Sequence, residues 1–293
     1  MNAPYVLTLV ADPAIAPLTE TLLARLRRAT GGGPPLILSP GEAADIPLAA
    51  LPDPALVREA LEDAPVDAIA LPAAGRRKKL LIADMDSTIV TGETLDELAD
   101  FAGLKAEIAA ITTRSMNGEL DFAAALRERV GMLRGLPIAA LEETWARVRL
   151  TPGARELVAT MRAHGAVTAL VSGGFTFFTG RVAALVGFDL HRSNVLEHDG
   201  AVLTGTVAEP ILDRDAKRAT LHELRATHGL TTEETLAVGD GANELAMLRD
   251  AGLGIAFHAK PVVAASARAR VEHTGLRTLL FAQGYRARDF AAA

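Results

Sequence analysis

The sequence predicts an α/β protein: a parallel sheet interrupted by an inserted helical cap, preceded by a small α/β module. Three observations predict it. After residue 79, short β-branched apolar runs alternate with amphipathic helical segments, the pattern of a parallel sheet covered on both faces. Between the first two of those runs, residues 94 to about 150 read as helix throughout, too long for an ordinary crossover and therefore an insertion. A composition change at "AAGRRKK" marks a linker, dividing the chain into residues 1–76 and 77–293.

In chain order, "YVLTLVAD" reads as a strand, "PLTETLLARLRRATGGG" as an amphipathic helix ended by glycines, and "PPLILSP" as a second strand. A helix near "PALVREALEDA" and a strand "VDAIALP" complete the first module. Two readings stay open for it, a small-ligand regulatory domain or a structural and dimerising one. The basic cluster "GRRKK" reads as a solvated linker. Strand "KLLIAD" follows, then the helical insertion with "LKAEIAAITTRSMNG", "LDFAAALRERVGMLRGL" and "PIAALEETWARV". Helix "GARELVATMRAHG" leads into strand "AVTALVSGG", and helix "FFTGRVAALVGF" into a hairpin with a two-residue turn at Asp199-Gly200. Helix "AKRATLHELRATHG", strand "TLAVGDG", helix "ANELAMLRDAG" and strand "LGIAF" close the pattern.

Composition narrows the function. A net charge of −6 over 293 residues disfavours nucleic acid or an anionic membrane as partner. The chain has no cysteine, which excludes a thiolate nucleophile, a disulfide framework and a cysteine zinc site. The N-terminus lacks a basic n-region, no apolar run is long enough to span a bilayer, and a cytoplasmic protein is expected.

Open parallel sheets bind ligands beyond the carboxyl ends of their strands. Three such ends carry polar groups here: Asp84 and Asp86, then Ser172 and Gly173, then Asp240. Taken alone, each has an ordinary explanation. A turn or cap accounts for "DMDST", a loop for "VSGG", a glycine turn for "GDGAN", and a surface charge for Lys217. Their convergence on one sheet edge favours chemistry instead.

Together, "DMDST", "VSGG", Lys217 and "GDGAN" resemble, in order and spacing, the four signatures of the haloacid dehalogenase superfamily of phosphatases. The resemblance implies that Asp84 is the nucleophile and Asp86 the proton donor and base. It makes Ser172, Gly173 and Lys217 phosphate-binding groups, and Asp84, Asp240 and the Asp86 backbone carbonyl ligands of Mg²⁺. The chemistry is consistent with these residue types. A carboxylate is already ionised at neutral pH and attacks phosphorus without a base, while cations and backbone donors offset the meeting of anions. A leaving alkoxide needs the proton that Asp86 can supply.

From Lys79 nearly to the C-terminus the chain is similar to the phosphoserine phosphatase family, through "DMDSTIVTGETLDELA", "MNGELDFAAALRERV", "VSGGFTFF" and "GDGANELAML". That likeness implies substrate recognition by Glu93, Met116, Phe122 and Arg129, and ordering of the phosphate site by Asn243. Glu93 suits the ammonium of O-phosphoserine and Arg129 its carboxylate. Phe122 and Arg129, seven apart, share a helix face. One position departs: Glu244 stands where the family has Asp, in the second shell of the metal. The resemblance thus implies O-phosphoserine hydrolysis through an aspartyl-phosphate, the last step of L-serine biosynthesis. A related phosphatase or phosphotransferase on another small amino-acid or amino-alcohol phosphate is the alternative. A sensing or scaffold protein with a vestigial catalytic part is a third reading, and a homodimer is an open expectation.

Overall fold

The computed structural model describes residues 3–117 and 119–292, apart from the side chains of Met116 and Val262. Its described residues form two compact units, each discontinuous in sequence. One comprises residues up to Lys79, Pro152–Ala166, and the chain from Ala269 onward; the other comprises Leu80–Thr151 and Val167–Arg268.

The first unit begins with β1 (Tyr5–Ala11), α1 (Glu20–Thr30), β2 (Leu36–Ser39), β3 (Ala43–Leu48), α2 (Pro54–Leu61) and β4 (Val66–Pro72). Its sheet has the order β2-β3-β1-β4, and its paired strands run antiparallel. Alternation places Leu7, Leu9, Ile46 and Leu48 on one face, against Leu22, Leu23 and Leu26 of α1 and Val57 of α2. Thr19 caps α1 by accepting from the Leu22 amide, and Gly31 ends it in the left-handed conformation. Strand β3 escaped the sequence reading because Asp45 and Pro47 break its apolar run.

Asp45 is tolerated inside that strand because Arg76 answers it. The guanidinium donates to both Asp45 oxygens, at 2.6 and 3.2 Å, and to Thr8 Oγ1 at 2.9 Å. Only 11% of the Arg76 side chain is exposed, which corrects the reading of "GRRKK" as wholly solvated. The same guanidinium donates to the carbonyls of Phe281 and Ala282, and Asp67 accepts from the amides of Glu272 and Thr274. Buried charges met this way explain why the C-terminal segment belongs to the first unit.

The second unit holds β5 (Leu80–Ala83) and then four helices: α3 (Thr94–Asp100), α4 (Lys105–Met116), α5 (Phe122–Met132) and α6 (Ala139–Arg147). After α7 (Ala154–Ala163), which packs in the first unit, come β6 (Val167–Phe175), α8 (Thr176–Val186), β7 (Leu190–Asn194), β8 (Leu196–His198) and β9 (Leu203–Val207). The run closes with α9 (Arg214–Thr227), β10 (Thr235–Gly239), α10 (Leu245–Asp250) and β11 (Leu253–Phe257). Strands pair parallel in the order β11-β10-β5-β6-β7, with β5 at the centre. All four β5 residues are fully buried, as a sheet covered on both faces requires.

Helices α3 to α6 form the inserted cap. Its entry and exit are paired: Val90 bridges Leu150, Thr91 N–H donates to Arg149 O at 3.0 Å, and Thr151 N–H to Ile89 O at 2.9 Å. The expected two-residue hairpin turn is replaced by the four residues Asp199–Val202. Here Asp199 Oδ1 accepts from the Ala201 and Val202 amides at 2.8 and 2.9 Å, a local bond that outcompetes the tighter turn. This hairpin belongs with the cap, since Gly135 N–H donates to Leu203 O and Ile138 N–H to Ala201 O.

Candidate active site

Asp84 follows β5 directly, and its amide donates to Val238 O of β10 at 3.0 Å. This bond holds the tips of the two strands side by side, so Asp84 and Asp240 line one cleft. The same cleft is lined by Asp86, Glu93, Phe122, Arg129, Ser172, Gly173 and Asn243. Of the remaining sequence-derived residues, Lys217 bonds to Asp84 and Glu244 bonds to Lys217. The Met116 side chain lies outside the described residues.

The backbone after Asp84 is unusual. Ser87 has φ +54°, a left-handed conformation that costs a non-glycine residue. It persists because the Ser87 amide donates to Gly92 O at 3.2 Å and its hydroxyl to Glu93 Oε1 at 2.6 Å. The same turn sends the Asp86 carboxylate toward α3, where Oδ1 accepts from the Thr94 amide at 2.8 Å. That amide is a first-turn helix donor with no partner in its own helix. Ser172 Oγ donates to Asp86 Oδ2 at 3.3 Å and accepts from the Gly174 amide at 2.8 Å. Burial, then the charge of Asp84, pushes the Asp86 carboxyl up to about 6.

Lys217 is 1% exposed, far from a solvated surface charge. It sits in the first turn of α9, which Asp213 caps by accepting from the Asp215 and Ala216 amides. Its ammonium donates to Asp84 Oδ1 at 2.5 Å and to Glu244 Oε1. Burial would lower its pKa, but Asp84 and Glu244 outweigh that and hold it well above the usual lysine range. Glu244 accepts in addition from the Gly241 amide at 2.8 Å and from Asn243 Nδ2. Burial raises the Glu244 carboxyl to about 7 against the opposing pull of Lys217. The side chain comes so close to Gly239 that a Cβ there would lie 2.4 Å from Glu244 Cγ.

The donor set suits a hard divalent cation. Asp240 is 2% exposed and its Oδ2 has no hydrogen-bond partner, a costly arrangement for a carboxylate oxygen unless a ligand uses it. Burial, then Glu244 and Asp84, raises its carboxyl well above the usual range. Among the described residues no three acidic or histidine side chains meet in metal-ligand geometry. A two-carboxylate set completed by a backbone carbonyl is the pattern that Mg²⁺, which keeps several waters, accepts.

The cap supplies the opposite wall. Phe122 begins α5, and its ring approaches Gly173 so closely that a Cβ there would lie 2.6 Å from Cζ. Arg129, one face along the same helix, is 6% exposed. Its Nε donates to Ala125 O at 3.2 Å and one terminal nitrogen to Thr112 Oγ1 at 2.9 Å. Burial, then the charge of Asp86, raises the Glu93 carboxyl to about 8.

Three site residues escaped the sequence reading. Thr94 and Thr112 both line the cleft. Asn194, 2% exposed, donates to Gly173 O at 2.8 Å and accepts from the Leu212 amide at 2.7 Å, tying the glycine loop to the segment before α9. Thr94 carried a readable signal as the first residue of a helix just after the "DMDST" turn; the other two carried none.

The strand-tip carboxylates Asp84, Asp86 and Asp240 line one cleft of a capped α/β fold, with the buried Lys217 bonded to the first of them. Residues 78–252 match the haloacid dehalogenase-like hydrolase family, and the chain belongs to it. It is 45% identical over 208 residues to a phosphoserine phosphatase of Polaromonas sp. (strain JS666), covering 69% of this chain and 88% of that one. Its fold is similar to that of a HAD family hydrolase from Salmonella enterica subsp. enterica serovar Typhi (TM-score 0.83, 33% identity, 94% of this chain and 97% of that one). It is also similar to a phospho-aspartyl intermediate analogue of phosphoserine phosphatase (TM-score 0.67, 40% identity, 70% of this chain and 98% of that one).

Proposed function

We propose that the chain is a Mg²⁺-dependent phosphoserine phosphatase acting in the cytoplasm at the last step of L-serine biosynthesis. One observation carries the substrate. Glu93 and Arg129, an acid and a base, line the same cleft as Asp84 and match the ammonium and carboxylate of O-phosphoserine. The names of the relatives support the same substrate.

Asp84 Oδ2, the oxygen not bonded to Lys217, attacks phosphorus as the bond to the serine oxygen breaks. Asp86, with its carboxyl near 6, gives that oxygen its proton. In the second half Asp86 takes a proton from water, whose oxygen bonds to phosphorus while the Asp84 acyl-phosphate bond breaks. Lys217 and the Ser172–Gly174 loop hold phosphoryl oxygens as charge spreads over them. Asp84, Asp240 and the Asp86 carbonyl would hold Mg²⁺, which when bound neutralises phosphate charge. Phe122 excludes water from the phosphate loop.

Phosphate release from phosphoserine, phosphothreonine, phosphohomoserine and phosphoethanolamine, with and without Mg²⁺, tests this. Phosphoserine should be preferred and chelation should stop turnover. Equal rates for phosphoserine and phosphoethanolamine would point to another small amino-alcohol phosphate. We read the N-terminal module as regulatory or dimerising; calorimetry with L-serine and sedimentation of the whole chain examine those two roles.

A further inference from the structure

We propose that Thr112 and Asp96 are positioning residues for substrate selection, setting Arg129 to receive a carboxylate without occupying it. The inference rests on the carboxylate-binding reading of Arg129 above.

The geometry is a three-member relay inside the cap. Arg129 donates through a terminal nitrogen to Thr112 Oγ1 at 2.9 Å. Thr112 Oγ1 lies 2.8 Å from Asp96 Oδ1 and 3.0 Å from Ile108 O. A hydroxyl has one proton to give. A carboxylate is the stronger acceptor, so the proton goes to Asp96 and leaves the oxygen lone pairs for the guanidinium. Asp96 therefore acts on Arg129 through one intervening hydroxyl, and among the described residues no carboxylate pairs directly with Arg129.

This indirectness has a chemical purpose. A guanidinium carries five N–H donors; Ala125 O and Thr112 take two of them. A carboxylate placed straight on Arg129 would fill its two-pronged edge and compete with the substrate. Thr112 fixes the plane and leaves the remaining donors for the cleft that Arg129 lines. Thr112 is 4% exposed and also lines the cleft, so the relay lies at the binding wall. The sequence separation of Asp96, Thr112 and Arg129 spans α3, α4 and α5, so the relay also registers three cap helices against one another.

The test measures kcat and KM for phosphoserine and phosphoethanolamine, which lacks the carboxylate, in the wild type and in Thr112→Val, Thr112→Ser, Asp96→Asn and Arg129→Ala. Thr112→Val should cut the preference for phosphoserine by about tenfold or more, chiefly through KM, with a much smaller change for phosphoethanolamine. Thr112→Ser should restore the preference. Asp96→Asn, a partly exposed change that preserves shape, should lower it several-fold. Adding Thr112→Val to Arg129→Ala should cost nothing further. Equal losses for both substrates, or a full preference in both Thr112→Val and Asp96→Asn, would overturn the relay. If Arg129→Ala itself leaves the preference intact, it is the phosphoserine reading that fails.

Discussion

Replacing Lys217 by Met puts the electrostatics of the site to a direct test. The lysine is buried between Asp84 and Glu244, with side-chain exposures of 1, 8 and 1%, and it bonds to both. Met keeps the length and apolar stem but removes the ammonium, leaving two carboxylates without their shared cation. Breaking a buried ion pair by removing one partner costs about 3–5 kcal/mol. Part of that cost is avoidable, because Glu244 already sits near pKa 7 and can take a proton. The sign follows. Without Lys217 the Glu244 carboxyl rises above 7. Above pH 7 the folded variant therefore keeps a proton that the wild type has released, and its loss grows by up to about 1.4 kcal/mol per pH unit until that raised pKa, where it levels off; below pH 7 both proteins keep the proton and the loss is smaller. Urea unfolding in chelator, followed by the fluorescence of Trp145, the only tryptophan and a residue of the second unit, reads the stability. We expect a loss of about 3 kcal/mol or more at pH 8 and a visibly smaller one at pH 6. In the Lys217→Met background, Glu244→Gln should restore part of the loss at pH 8, whereas the same change in the wild type should destabilise. A Lys217→Met loss below about 1 kcal/mol, independent of pH, would refute the buried pairing.

Asp84→Asn should fold normally yet lower kcat by about 10⁴-fold or more, and retained turnover in purified protein would exclude an acyl-phosphate on this residue. Gly173→Ala forces a Cβ to within 2.6 Å of the Phe122 ring; it should cost about 1–3 kcal/mol and raise KM for every phosphate ester, with Phe122→Leu relieving both effects. Glu93, at about 8, is largely protonated in the free protein at pH 7 and should ionise when it meets an ammonium. Calorimetric titration of phosphoserine into Asp84→Asn, in buffers of different ionisation enthalpy, should therefore show proton release near pH 7 that Glu93→Gln abolishes. Because its folded pKa lies above the unfolded value of 4.5, Glu93 opposes folding increasingly as pH rises from 4.5 to 8. Glu93→Gln should accordingly stabilise the free protein at pH 8 and leave it nearly unchanged at pH 4.5.

Strand tips were legible because their signal is local: four or five apolar residues followed by a charge, as in Leu80–Ala83 before Asp84. The convergence of Asp84, Ser172 and Asp240 followed from topology, since parallel strands end on the same edge. What the sequence hid were interactions between distant segments. Arg76 reads as part of a basic linker until Asp45 and the Phe281 carbonyl are seen around it. Asn194 and Thr112 are small polar residues in unremarkable contexts, and nothing local distinguishes them from solvated neighbours. Glu244 was legible in identity and not in function; its extra methylene carries the carboxylate to Lys217, a contact that depends on where α9 places the lysine.

The distribution of charge explains why these hidden contacts matter. Asp84, Asp86, Glu93, Asp240 and Glu244 crowd a region that holds two buried cations of its own, Lys217 and Arg129. Such crowding costs folding free energy, visible as carboxyls raised to about 6, 7 and 8 at Asp86, Glu244 and Glu93. A cation at Asp84 and Asp240 and an ammonium at Glu93 would each relieve a different part of that repulsion, whereas a bare phosphate relieves none. On the proposed reading, a substrate carrying its own ammonium would thus be favoured by the electrostatics of the fold before any contact with its carboxylate. The carboxylate then requires a guanidinium whose fork is not already taken. Lys217, already bonded to Asp84 and Glu244, is assigned to the phosphoryl group in the proposed reading, which leaves the carboxylate to Arg129, bonded to the neutral hydroxyl of Thr112. On the proposed reading, selection for a zwitterionic phosphate ester and protection of Asp84 are two consequences of one allocation: the lysine answers the core carboxylates, and the arginine is kept for the ligand.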